Sequence, residues 1–218
     1  MLGGVSWKAF AVGAVVLAIL VWAWRRTSVP EGASAPGATT GAIPADAPPR
    51  PEPVLAVGQM VVMNAMGVGK VEAFTVRRLR DGRQAWGYAI KIRGYDTFAP
   101  AEKVPGLVWP VCDRPTAEAM LKAIVEPDAS AEPPAPEARK TRMFALWATG
   151  SHQEQAQLLG QVLRAASSQD SALVIGSGHI LREIAFVLGL SMRELDARLD
   201  ARFPKWRAHL PERDPDDK

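Results

Sequence analysis

The sequence predicts an N-terminal transmembrane helix and a disordered linker, then an SH3- or Tudor-like small β-barrel, and then an all-α helical domain. Three observations lead to this fold class. They are a long apolar run near the N terminus, two stretches rich in Pro and Ala, and a change from strand-like to helix-like spacing of apolar residues after the second stretch. The predicted segments are 1–26 (membrane span with flanks), 27–53 (linker), 54–126 (barrel), 127–138 (linker), 139–205 (helical domain) and 206–218 (polar tail).

The apolar run Ala9–Trp24 contains neither charge nor proline. With the residues just before it, the segment 5–24 supplies the roughly 20 residues that cross a hydrocarbon core. Arg25 and Arg26 follow directly, where a cleaved signal peptide would have small residues, so we expect the span to be retained. Their charge favours a cytoplasmic C-terminal side. The sequence therefore predicts a single-pass protein of the cell inner membrane.

The composition limits the remaining possibilities. With 18 prolines and 18 glycines the chain fits neither collagen nor a coiled-coil rod, and its single cysteine, Cys112, excludes a disulfide framework. The linker 27–53 is dominated by Pro, Gly, Ala, Ser and Thr, which is typical of a tether. The second linker leaves two segments of about 70 residues, each large enough to fold alone. The net charge of +3 only weakly indicates an anionic partner, although basic residues cluster locally.

The segment after the tether is predicted to form short strands. Gln59–Met63 is a short apolar run, and Lys70–Arg77 alternates in part. Tyr88, Ile90 and Ile92 share one face of the next predicted strand, with Lys91 and Arg93 on the other. Asp81 and Gly82 supply the positive φ of a hairpin turn, so the second and third strands are expected to pair antiparallel.

A helix is predicted after these strands. Four prolines interrupt the chain between 100 and 115, and the last of them opens a helix over 116–125. Short twisted strands that close on a small core and end in a helix are typical of an SH3-like or Tudor-like barrel.

Two stretches of this segment resemble the CarD family. LAVGQMVVMNAMGVGKVEAF is similar to the family's opening pattern, and FAPAEKVPGLVWPV is similar to a later signature in which an apolar strand runs into Pro-Ala-Glu. The residues at matching positions are Gly58, Val61, Val62, Gly67, Val71, Pro100, Ala101, Glu102 and Leu107. The two stretches cover most of 54–125.

The last segment is predicted to be a bundle of about four helices. Ser151 with Glu154 and Ser191 with Glu194 have the spacing of capping boxes, and Leu158, Leu159, Val162 and Leu163 form an apolar stripe. RKTRMFALWATGS resembles the basic helix that opens the helical domain of CarD-like proteins.

The resemblance implies a function. CarD-like proteins bind the β subunit of bacterial RNA polymerase through an edge strand of the barrel, and their helical domain contacts promoter DNA; they are not enzymes and need no cofactor. Carried over to this chain, the polymerase-binding residues are Arg77, Phe98, Ala99 and Pro100, and the phosphate-binding residues are Arg139, Lys140, Arg142 and Arg164. The expected partners are thus the β subunit, promoter DNA and, through 5–24, the membrane.

The sequence departs from the family pattern at two positions. Phe98 stands where a family member carries a basic residue, which puts that contact in doubt. Pro136 stands where the family often has a tryptophan that wedges into the minor groove. Trp147 matches a core leucine instead, so we expect it to pack inside the protein.

Two alternatives remain open at this point. Residues 183–203 have helix-turn-helix spacing and would present Arg193, Arg198 and Arg202, although the interleaved acidic residues favour a plain helical hairpin. A second alternative is an SH3-like module, anchored to the membrane, that binds a protein and has no DNA role. Catalysis has little support, because His152, His179 and His209 lack metal-ligand spacing and Cys112 has no nearby histidine in the sequence. We therefore expect no enzyme, no metal and no cofactor.

Overall fold

The computed structural model describes residues 47–64, 66–127, 135–149, 151–165 and 170–206. Within these residues, five strands form an antiparallel sheet in the order β4-β3-β2-β1-β5. The strands are β1 (Met60–Met63), β2 (Gly67–Arg78), β3 (Gln84–Ile92), β4 (Tyr95–Pro100) and β5 (Val108–Pro110). Between β4 and β5 lie a 3₁₀ turn, Ala101–Lys103, and a single helical turn, α1 (Val104–Leu107).

The sheet is built on a core of alternating apolar side chains. β1 lies between β2 and β5, so that Val62 faces Val68 on one side and Trp109 on the other. The buried residues of this core are Leu55, Val61, Met63, Val71, Tyr88, Ile90, Ile92, Ala99, Val104 and Val108. The alternation predicted over 88–92 is confirmed, because Tyr88, Ile90 and Ile92 are all buried.

Chain contacts divide the protein into two compact units. Of the described residues, one unit contains 47–49 and Val76–Ala85, and the other contains Arg50–Thr75 and the residues from Trp86 onward. Within the first unit, Leu79 N–H donates to Arg83 O at 2.7 Å and Gly82 N–H donates to Leu79 O at 3.0 Å. Gly82 has φ of +82°, so the positive φ predicted for this turn is confirmed.

Six further helices follow the sheet within the part of the chain that the structure describes. They are α2 (Arg114–Val125), α3 (Pro136–Thr149), α4 (His152–Ala165), α5 (Ser171–Gly176), α6 (Gly178–Leu188) and α7 (Met192–Arg202). α2 begins two residues before the predicted start, because Asp113 caps it by accepting the Thr116 N–H at 2.9 Å. The capping box of Ser191 and Glu194 at α7 is confirmed.

The helices share one apolar core, and α2 and α4 approach each other closely within it. A Cβ atom on Gly160 would lie 2.6 Å from the carbonyl oxygen of Ala123, so only glycine permits this distance. The predicted stripe Leu158, Leu159, Val162 and Leu163 is buried, as are Met120 and Ile124 of α2. The helix that follows the sheet therefore packs with the helices and not with the strands.

The predicted fold class is wrong in its membrane part. The longest helices of the described residues, α3 and α4, have 14 residues each, whereas about 20 are needed to cross a bilayer. None of the helices in the described part is long and apolar enough to span a membrane. The run Ala9–Trp24, on which that prediction depended, lies outside the described residues, as does most of the linker 27–53. The predicted inner-membrane location is contradicted by the same finding.

The prediction of a closed barrel is also wrong, because the described strands form an open sheet. Within the described strands the hydrogen-bonded order has β4 and β5 at its two edges, so the architecture is a five-stranded antiparallel sheet followed by helices. β5 has only three residues and pairs along β1. Such a short strand offers little backbone for closure.

Candidate functional site

The edge strand β4 leaves part of its backbone facing away from the sheet. β3 and β4 are joined by a two-residue turn in which Arg93 and Gly94 have φ of 50° and 86°, the values of a type I′ turn. Such a turn makes Ile92 and Tyr95 a hydrogen-bonded pair. Because hydrogen-bonded and non-bonded pairs alternate along an antiparallel ladder, Asp96 and Phe98 direct their N–H and C=O groups away from β3.

The predicted polymerase-binding residues of β4 have their side chains inside the protein. Phe98, Ala99 and Pro100 are all buried, and Phe98 contacts the backbone of Gly87 closely enough that a Cβ there would lie 2.6 Å from its ring. Contact with a partner at these positions is therefore confined to the backbone. The sequence reasoning missed Tyr95, whose side chain is 75% exposed at the start of the edge. An aromatic residue directly after a Gly turn was the available signal.

Arg77 lies near the end of β2, in the unit that contains Val76–Ala85, and is half-buried. Two neighbouring arginines are used within the turn itself. Arg78 Nε donates to Gly82 O at 3.1 Å, and Arg83 Nε lies 3.6 Å from Asp81 Oδ2. Two of the basic side chains of this hairpin therefore make contacts within the turn itself.

Arg139 is buried in the helical core. Its Nε donates to Asp170 Oδ1 at 3.3 Å and its Nη2 donates to Oδ2 at 2.5 Å, and the two side chains are 5% and 2% exposed. Because the guanidinium is already hydrogen-bonded to the carboxylate of Asp170, Arg139 could contact a phosphate only if this ion pair opened. The pair instead ties α3 to the residue that precedes α5.

The other three predicted phosphate contacts lie nearer the surface. Arg142 is exposed on α3. Lys140 Nζ donates to Glu137 Oε1 at 2.9 Å on the same helix, and Arg164 is half-buried in the last turn of α4. Arg142 is therefore the predicted residue whose position best suits a phosphate contact.

Two predictions about tryptophan and proline concern α3. Pro136 begins this helix, so the last residues of the predicted linker 127–138 are helical, and residues 128–134 lie outside the described part. Trp147 is buried, and a Cβ on Gly176 would lie 2.4 Å from its ring. The prediction that Trp147 packs inside the protein is confirmed.

The segment 183–203 forms a helical hairpin whose second helix faces the core. Gly189 ends α6 with φ of +68°, and Leu190 N–H donates to Ala185 O at 2.8 Å, as in a Schellman cap. Leu195 and Leu199 of α7 are fully buried. Arg202 Nε donates to Val125 O at the end of α2 at 2.8 Å. These contacts favour the helical hairpin over a recognition helix.

A buried carboxylate joins the sheet to the helices. Glu183 on α6 is fully buried, and its Oε1 accepts the N–H of Cys112, just after β5, at 2.9 Å. Its Oε2 accepts from Nδ1 of His152, at the start of α4, at 2.5 Å. The rings of Trp109 and His152 lie 5.0 Å apart, edge to face. Glu183 therefore links three elements, a role that nothing in its local sequence indicated.

His179 extends this buried cluster. Its Nδ1 lies 3.0 Å from Gly176 O and its Nε2 lies 3.1 Å from Gln155 Oε1, an arrangement that suits a doubly protonated ring. Burial opposes that charge and, with the nearby His152, lowers the pKa of His179 to about 4. Burial is the larger influence, so we assign the neutral ring at pH 7.

The surroundings of Cys112 in this cluster oppose nucleophilic and metal-binding chemistry at its thiol. Burial, followed by the charge of Glu183, raises the pKa of the Cys112 thiol to about 12, which opposes the thiolate that a nucleophile or metal ligand requires. In the part of the chain that the structure describes, no group of three His, Cys, Asp or Glu residues is placed to hold a metal ion.

No protein-family model matches this chain, and a search of curated proteins also finds no match. The resemblance to the CarD family therefore stays a prediction that depends on the two stretches quoted above.

Proposed function

We propose that the protein is a CarD-like transcription regulator that binds the β subunit of bacterial RNA polymerase by strand addition at β4 and contacts promoter DNA through α3. The observation that supports this most is the edge position of β4, with Asp96 directing backbone groups away from β3. A strand of the partner can satisfy those groups and extend the sheet. The Phe-Ala-Pro-Ala-Glu stretch that resembles the family lies at the end of this strand.

Fewer residues are proposed to contact DNA than the sequence suggested. Arg139 is paired with Asp170 and Lys140 with Glu137, which leaves Arg142 as the main phosphate contact. Such contacts supply affinity and salt dependence but no base discrimination. We therefore propose weak DNA binding without sequence preference, positioned by the polymerase.

Asp96→Pro tests the protein-binding edge. Proline removes an N–H that points away from β3, so it removes no ladder hydrogen bond, and edge strands tolerate proline at such positions. We expect the affinity of the full chain for purified β subunit to fall about tenfold or more, measured by biolayer interferometry, with an unchanged circular dichroism spectrum. Asp96→Asn, which keeps the N–H, is the matched control and should bind normally. Equal binding by both variants would contradict strand addition at β4.

Arg142→Ala tests the DNA arm. Loss of one phosphate contact is expected to lower the slope of log K against log salt by about 1 for a duplex. Fluorescence anisotropy at several salt concentrations measures this slope. Arg193→Ala, an exposed arginine on α7, is the control and should leave the slope unchanged. A loss of slope in Arg193→Ala alone would instead support the helix-turn-helix alternative at 183–203.

A further inference from the structure

Two aromatic rings form a stacked pair on the sheet, which we call the aromatic face. Phe74 of β2 and Trp86 of β3 have ring centroids 5.3 Å apart with 24° between their planes. Tyr88 lies against Phe74 at 4.8 Å. The π faces of such rings attract cations and planar groups.

A segment of the protein itself lies over the aromatic face. The guanidinium carbon of Arg50 lies 5.6 Å from the Phe74 ring centroid and 5.3 Å from that of Trp86. Proline flanks this arginine on both sides, in the sequence PPRPEP. Prolines restrict the backbone and so lower the entropy lost when an extended segment docks on an aromatic surface.

The segment is anchored separately, just after the arginine. The hydroxyl of the buried Tyr88 accepts the N–H groups of Val54 at 2.7 Å and Leu55 at 3.2 Å. Arg50 itself is exposed, and an exposed cation–π contact is weak. The arginine can therefore leave the rings while the chain stays attached at Val54 and Leu55.

We propose that the aromatic face is a docking site for a proline-flanked arginine in an extended segment of a partner protein, and that Arg50 occupies it when the partner is absent. This inference does not depend on the proposed role in transcription. Arg50 shows which chemistry the face accepts, namely a planar cation between prolines. Because a tethered group competes at an effective concentration in the millimolar range, free peptide should bind the wild-type protein only weakly.

The test uses the full chain and a capped peptide with the sequence of residues 47–52, Ala-Pro-Pro-Arg-Pro-Glu. Nuclear magnetic resonance follows the indole N–H of Trp86, and Trp86→Phe identifies that signal by its loss. We expect the signal to shift on peptide addition to Arg50→Ala, with an affinity at least about fivefold higher than for wild type. Arg198→Ala, which changes an arginine on α7, is the matched control and should behave like wild type.

A second peptide, in which alanine replaces arginine, defines the chemistry. We expect it to leave the Trp86 signal of Arg50→Ala unchanged. The proposal is wrong if neither peptide shifts this signal, or if both shift it equally. Sedimentation of Arg50→Ala tests whether a second copy of the chain binds the aromatic face. A dimer that forms without added peptide would show that it does, and would contradict binding of a partner segment.

Discussion

Asp170→Ala is expected to lower the free energy of unfolding by about 3–5 kcal/mol. The carboxylate of Asp170 holds the guanidinium of Arg139 where both side chains are almost completely buried. Without it, the charged guanidinium loses its carboxylate partner inside the helical core, which is the costly way to break a buried ion pair. Urea denaturation followed by circular dichroism measures the difference.

The double variant Arg139→Met with Asp170→Leu provides the comparison. Replacing a buried pair by apolar groups of similar volume is often close to neutral, so the double variant should recover most of the stability lost by Asp170→Ala. Lys140→Ala removes an ion pair with the exposed Glu137 and should change stability by no more than about 0.5 kcal/mol. If Asp170→Ala lowers the free energy of unfolding by less than about 1 kcal/mol, the pair opens readily. Arg139 could then bind a phosphate, as the sequence predicted.

Acidification from pH 7 to pH 5 is expected to cost about 2 kcal/mol of stability through His179 alone. The ordinary pKa of 6.5 falls to about 4 in the folded protein, chiefly because the ring is buried. As the pH drops below 6.5, the unfolded chain therefore binds a proton that the folded chain does not. The stability that the neutral ring contributes is fully present above pH 6.5 and is lost progressively down to pH 4.

The measurement is the urea midpoint of the wild type and of His179→Gln across this pH range. The variant should be less stable at pH 7, because the contacts to Gly176 and Gln155 change, but its stability should fall less steeply with acid. A wild type that becomes more stable on acidification would show that the two carbonyl acceptors around His179 outweigh burial.

Much of the local structure could be predicted, because it depends on neighbouring residues. The alternation over 88–92, the positive φ of Gly82 and the capping box of Ser191 with Glu194 are all short-range features. The membrane span was inferred from hydropathy over residues that the structure does not describe, and the described helices do not support it. Hydropathy reports how apolar a segment is and not what surrounds it.

The candidate site was harder to predict, because its burial depends on distant partners. Arg139 belongs to a basic run and is predicted from the sequence to contact DNA, yet it shares a helix face with the buried Met143 and Leu146 at spacings of four and seven. Its partner Asp170 lies 31 residues away, and no local pattern joins the two. Likewise, nothing near Glu183 in the sequence indicates that it accepts the N–H of Cys112.

The long separation of that last pair has a consequence for how the chain folds. The hydrogen bond from Cys112 to Glu183 closes a loop of 71 residues, and the one from Arg202 to Val125 closes a loop of 77. Closing a loop of this size lowers the entropy of the chain before any stabilising contact forms, so it is slow. Hairpins and single helices close quickly because their contacts are local. During synthesis the whole sheet leaves the ribosome before α6 has been made. The N–H of Cys112 therefore stays bound to water until Glu183 arrives, and the joint between sheet and helices is expected to be among the last parts of the protein to form.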